Sequence, residues 1–149
     1  MNHLFLHCRA GFEKECAAEI TDLAGEVGVY GYSKTKDNSA FVVFITHEPT
    51  GAMQLQQELR FRKLIFTRQW FVTQAPITDL PVTDRVTPLL SAAQQFPIAR
   101  ELLLETVDTN DGKELSGLSK KFTAPFSTAL RKNRSEERRV GKECTIQCR

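Results

Sequence analysis

His3-Leu-Phe-Leu-His-Cys8, then Arg9-Ala-Gly11, then Phe12-Glu-Lys-Glu-Cys-Ala-Ala-Glu-Ile-Thr-Asp-Leu-Ala-Gly25: within this stretch the apolar period changes, and the change decides the fold. His3–Cys8 is short, apolar and extended in character, which predicts a first strand. From Gly11 onward Phe12, Cys16, Ile20 and Leu23 recur at intervals of four, four and three, the spacing of one helix face. Glu13, Lys14, Glu15, Glu19 and Asp22 take the other face, and Gly25 supplies a stop. The glutamates read as a solvated surface, with Glu13 and Glu15 favourable near the positive end of the helix.

The same reading extends outward. Val27–Lys34 has strand character, and polar Thr35–Ser39 is a hairpin-like turn. Phe41–Thr46 is apolar enough to be a central strand. Pro49, Thr50 and Gly51 break the chain before a short helix, Ala52–Leu59, and Leu64–Thr73 reads as another strand. The order β-α-β-β-α-β over residues 3–75 is the split β-α-β plan of the ferredoxin-like fold, so the class is α+β. Beyond Pro81, Thr83–Phe96 is a helix candidate, with Thr83 as a cap and Pro88 in the first turns. Glu101–Val107 is expected as a strand, Asp108–Gly112 as a turn, and Lys113–Lys132 as a helix bent or split by Pro125. That α-β-α region is unfinished, because a lone strand has no ladder partner.

Composition narrows the function classes. The chain has 149 residues, 41% hydrophobic and 26% charged, average for a globular protein. Its longest apolar run, Ala40–Ile45, is far short of the roughly 20 residues a membrane span needs. The amino terminus lacks the basic n-region of a signal peptide, so the expected location is the cytoplasm, with no membrane partner. Twenty basic residues oppose 18 acidic ones. The last 16 residues hold five basic and three acidic ones, leaving 15 of each in residues 1–133, so the whole excess of +2 lies in the tail. That balance argues against a tight, nonspecific nucleic-acid binder, DNA included.

The tail itself reads as foreign. Arg134–Cys144, RSEERRVGKEC, can be back-translated into the codons of a common short-read sequencing adapter. Residues 134–149 are therefore expected to be non-native and are set aside from fold reasoning.

Motifs for chemistry are sparse. No dinucleotide fingerprint, phosphate loop or nucleophile elbow occurs. The four cysteines form no CxxC pair, and His3, His7 and His47 do not combine with them in a zinc pattern, so no metal is expected. His3 and His7 share a strand face as surface histidines. Arg9 and Gly11 lie between strand and helix, where an anion can bind, but Glu13 follows at once and no glycine-rich cradle surrounds Arg9. Candidate RNA contacts are Arg68 in the aromatic strand, with Trp70 and Phe66 read chiefly as core, and the cations Lys113, Lys120, Lys121 and Arg131 near one side of the last helix.

Several strings together resemble one family. They are CRAGFEKECAAEITDLAG (Cys8–Gly25), LIFTRQWFV (Leu64–Val72), DRVTP (Asp84–Pro88), VDTNDGKEL (Val107–Leu115) and KKFTAPFSTALR (Lys120–Arg131). They are similar to the N-terminal half of bacterial ribosomal RNA large subunit methyltransferase M. The resemblance covers residues 1 to about 133. It implies a ferredoxin-like domain over 1–75, a truncated THUMP-type RNA-binding domain over 76–133, and 23S ribosomal RNA as partner. It implies methylation of a cytidine 2′-hydroxyl with S-adenosylmethionine, carried out by a C-terminal Rossmann-like domain absent here. No catalytic, cofactor-binding or metal residue carries over, so the fragment alone is expected to be inactive. The alternative from the residues is a stand-alone ferredoxin-like interaction or regulatory domain. A further one is a small phosphate-handling enzyme centred on Arg9.

Overall fold

The computed structural model describes residues 1–96 and 101–139, and side chains of the last helix as far as Asn133. The described elements are β1 (His3–His7), α1 (Glu13–Glu26), β2 (Gly31–Thr35), β3 (Phe41–Thr46), α2 (Gly51–Glu58), a 3₁₀ turn (Phe61–Lys63), β4 (Gln69–Thr73), α3 (Val86–Ala93) and α4 (Asn110–Arg139). They divide between two compact units. Met1–Pro76 with Val107–Lys113 forms one; Ile77–Thr106 with the chain from Glu114 onward forms the other.

In the first unit the strands form one antiparallel sheet in the order β2-β3-β1-β4. This is the expected β-α-β-β-α-β plan. The alternation of β1 sends Leu4 and Leu6 to one face and His3, Phe5 and His7 to the other. Val42 and Phe44 of β3 join the Leu4 face. Cys16, Ile20 and Ala24 of α1 and Ala52 and Leu55 of α2 close over it, all fully or almost fully buried. Burying each large aliphatic or aromatic side chain there contributes about 1.5–3 kcal/mol.

Helix α1 differs from its sequence reading at both ends. Phe12 caps the helix and is 40% exposed, while Ala24 takes the buried place expected of Leu23. Gly25 does not stop the helix, which runs to Glu26. The stop is Gly28, at φ 79°: its N–H bonds the Gly25 carbonyl at 3.1 Å, and the Val29 N–H bonds the Ala24 carbonyl at 2.9 Å. That paired closure needs a residue at positive φ, which glycine adopts without cost.

Three further expectations change. Strand β2 begins at Gly31 instead of Val27, because Val27–Val29 is used in closing α1. Strand β4 begins at Gln69 instead of Leu64, and a 3₁₀ turn precedes it. Glu101–Val107 is not a strand; no described strand is available to pair with it, and an unpaired strand leaves its backbone groups unsatisfied.

The second unit is thinly packed. Helix α3 has no buried residue, and Leu103 is 72% and Val82 85% exposed. Asp84, in place of the expected Thr83, accepts the N–H groups of Val86 at 3.1 Å and Thr87 at 3.2 Å. Helix α4 passes unbroken through Pro125 and beyond residue 133 to Arg139. Phe126, stacked on Phe122 with centroids 5.4 Å apart, is its buried side chain.

Candidate nucleic-acid interface

The turn after β1 carries Arg9, the position where an external anion was considered. The chain fills the amide cluster there itself. Glu13 is 2% exposed, and its carboxylate accepts the Ala40 N–H at 2.9 Å and the Gly11 N–H at 3.1 Å. Burial alone would raise the Glu13 carboxyl. Backbone N–H groups, those of Ala40 first and of Gly11 and Asn38 after, outweigh it and hold the carboxyl below its usual range. Glu13 is therefore not part of a solvated face. The N–H groups that would cradle a phosphate are already occupied, which removes the basis for an Arg9-centred phosphate enzyme.

Glu19 is a second structural acceptor that reads as surface in the sequence. Its carboxylate takes the N–H groups of Ile65, Phe66 and Thr67 and the Thr67 hydroxyl, the last two at 3.1 Å. These bonds hold the approach to β4 in place of ladder bonds. Thr67 in turn lies 3.3 Å from the buried Cys16 thiol. Burial, with the Cys16 thiol and Glu13 nearby, pushes the Cys8 thiol up to about 12, and burial raises Cys16 as well. Both are free, buried thiols with no reactive character. Cys144 and Cys148 lie outside the described residues.

Arg68 sits at the entrance to β4, its N–H bonded to the His7 carbonyl at 2.8 Å. Its guanidinium reaches Asp108 at 3.1 Å. Asp108 begins the DTNDG run, which forms a helix start and not a free turn. The Thr109 hydroxyl accepts the Gly112 N–H at 3.0 Å and the Thr109 carbonyl accepts the Lys113 N–H at 3.0 Å, so Thr109 caps α4. Gly112 is required there: a Cβ would run into the Val107 carbonyl oxygen. Arg68 thus straps the start of α4 to the sheet.

The remaining candidate cations all lie on α4. Lys113 is exposed at its start, and Lys120, Lys121 and Arg131 are exposed farther along. Trp70 and Phe66 pack against the core, as read from the sequence, and Phe66 stacks on Phe12 with centroids 5.9 Å apart. The sequence reading missed the aromatic side of the sheet. Phe5, on β1, stacks on Phe41 and on Phe71 with centroids 5.1 and 5.3 Å apart. Strand alternation signals this face, but only once the strand order places the three rings side by side. Among the described residues no group of three His, Cys, Asp or Glu side chains is placed to hold a metal ion. No described helix is long and apolar enough to cross a membrane.

Comparison with known proteins assigns both parts of the chain to one source. Residues 1–71 match a family described as the RlmM ferredoxin-like domain. Residues 84–144 match the N-terminal region of ribosomal RNA large subunit methyltransferase M. The chain belongs to that family. A relative of that name from Cellvibrio japonicus is 64% identical over 130 residues, covering 87% of this chain and 37% of the relative. One from Cronobacter sakazakii is 50% identical over 132 residues, covering 88% and 36%. One from Haemophilus influenzae is 41% identical over 150 residues, covering 97% and 41%. The chain thus spans little more than a third of its Cellvibrio relative. The family match to residue 144 runs into the segment expected from the sequence to be non-native, whereas the Cellvibrio alignment covers 130 residues.

A methyltransferase uses S-adenosylmethionine, and the described residues do not fit that group. The sheet is antiparallel throughout, with no glycine-rich loop between a parallel strand and a helix of the kind that cradles such a cofactor. No chemical step is assigned to this chain.

Proposed function

We propose that this chain is the RNA-positioning N-terminal region of a cytoplasmic rRNA 2′-O-methyltransferase, delivering 23S ribosomal RNA to a C-terminal domain that binds S-adenosylmethionine. In this reading residues 1–75 form the ferredoxin-like domain, residues 76–133 the opening of a THUMP domain, and residues 134–149 a non-native tail. The observation that carries the RNA-positioning reading is the collinear match of residues 1–71 and 84–144 to two N-terminal parts of one rRNA methyltransferase family; the second match runs 11 residues into the segment read as a tail.

The RNA contacts are the exposed cations of α4, Lys113, Lys120, Lys121 and Arg131. Arg68 is a further contact, where a phosphate would compete with Asp108. With charges balanced through residue 133, affinity depends on where cations cluster and not on net charge.

Exchanging Lys113, Lys120 and Lys121 for glutamine should weaken binding to a 23S rRNA fragment at low salt. It should also flatten the plot of log affinity against log salt by about 2 units, on the scale of about 0.7–0.9 per phosphate contact. Fluorescence anisotropy across a salt series measures both. An unchanged affinity and slope would remove this helix from the interface. Incubated with S-adenosylmethionine and the same RNA, the chain itself should transfer no methyl group.

A further inference from the structure

The sheet of the first unit has two unlike faces. One is covered by α1 and α2. The outward positions of the other include Phe5 of β1, Phe41 of β3 and Phe71 of β4, and each keeps part of its surface open to solvent. Phe5 is the middle ring. It lies 5.1 Å from Phe41 with planes 16° apart, and 5.3 Å from Phe71 with planes 19° apart. His7 closes edge-on against Phe5 at 4.8 Å. Phe71 stands directly opposite Phe5, and Phe41, opposite His7, reaches Phe5 across the diagonal, so three rings form one stack across β3, β1 and β4. Strand β4 is the sheet's edge among the described strands. No described strand extends the ladder beyond Phe71.

The charge on this face has one sign. Cross-strand pairing puts Lys34 of β2 in register with Val43, Val43 with Phe5, and Phe5 with Phe71, so a cation and two rings share one row. His3 lies on the same face. Burial first, and then Lys34 and the amino terminus, lower its pKa, which places positive charge around it. No Asp or Glu occupies an outward position on any of the four strands. A water-facing antiparallel sheet ordinarily carries polar residues there. Aromatic rings beside a lysine, with no carboxylate among them, match a ligand that is flat, unsaturated and anionic in its backbone.

We propose that this sheet face is a stacking platform for unpaired nucleotides of RNA, whose bases extend the Phe41–Phe5–Phe71 ladder while their phosphates pass Lys34 and His3. This rests on the reading that the chain binds ribosomal RNA, and it adds a contact separate from the α4 cations.

The test uses the full chain with a short single-stranded RNA carrying 2-aminopurine, whose fluorescence falls when its base stacks on a ring. Wild type should quench the probe. Phe71→Leu should lose about tenfold in affinity with the salt slope unchanged, since a ring carries no charge. Phe71→Trp should retain both binding and quenching. Lys34→Gln should reduce the slope by about 1.

Normal affinity and quenching in Phe71→Leu would overturn the platform. If the α4 lysine variants still weakened binding, the RNA reading would stand without it. If wild type bound neither this RNA nor the 23S fragment at low salt, both would fall. Should Phe71→Leu not fold, by circular dichroism, wild-type quenching and its retention in Phe71→Trp decide. A wild-type dimer in sedimentation that Phe71→Leu dissociates, with RNA affinity unchanged, would make the face a self-contact and overturn the proposal.

Discussion

Glu13 has the sequence signature of a helix-start surface residue and the structural role of a buried ligand for the chain's own amides. Its carboxyl is held below the usual range, so its folded pKa lies under its unfolded one. The stability it contributes is present above the unfolded value, about 4.3, and is lost as pH falls through the folded one. Glu13→Gln should cost about 2 kcal/mol at neutral pH, because an amide placed among donors leaves N–H groups unsatisfied. The gap between variant and wild type should narrow in acid; urea unfolding across a pH series measures it. Equal stability at neutral pH would show that the carboxylate is not the turn's acceptor. The sequence placed Glu13 on the right helix and the wrong surface. Periodicity reports which residues share a face, but its partner Ala40 is 27 residues away. The same distance hides Glu19, whose partners lie 46 to 48 residues on.

At the scale of elements, strongly periodic segments were legible and their ends were not. The sheet order follows from six elements whose types all read correctly in the sequence. Strand β4 lost its first residues because its partner β1 ends at His7, opposite Gln69, and the Glu19 carboxylate takes the N–H groups of residues 65–67 instead. The expected strand at Glu101–Val107 failed for the reason its apolar composition conceals: composition suits a strand, but only a neighbour makes one. Helix α4 shows the opposite case, where a helix-breaking residue is tolerated. Pro125 has no N–H to donate, and its ring presses on the turn before it. Pro125→Ala should therefore raise the helical signal and stabilise the helix by up to about 3 kcal/mol. Circular dichroism and thermal unfolding check this, and an unchanged profile would mean that α4 gains nothing from the missing bond. The candidate cations were legible as a cluster on this helix, whereas the capture of Arg68 by Asp108 was not.

Across the molecule, the two units differ in how much they bury. The first has a continuous core under its sheet; the second has Phe126 as its one side chain in the buried hydrophobic set among the described residues. Hydrogen exchange should separate them. Amides of β1 and β3 should exchange slowest, and those of Val86–Ala93 should exchange fast, since few buried contacts hold that helix closed. Comparable protection in α3 and β1 would contradict this division. The first unit is also built from two separate pieces of chain, and that has a consequence during synthesis. The sheet can close once Thr73 has left the ribosome. Arg68, however, must wait for Asp108, 35 residues beyond Thr73. At the usual pace of translation that is about 2–7 s, an interval in which the nascent sheet exists without its strap and is open to chaperones at that edge.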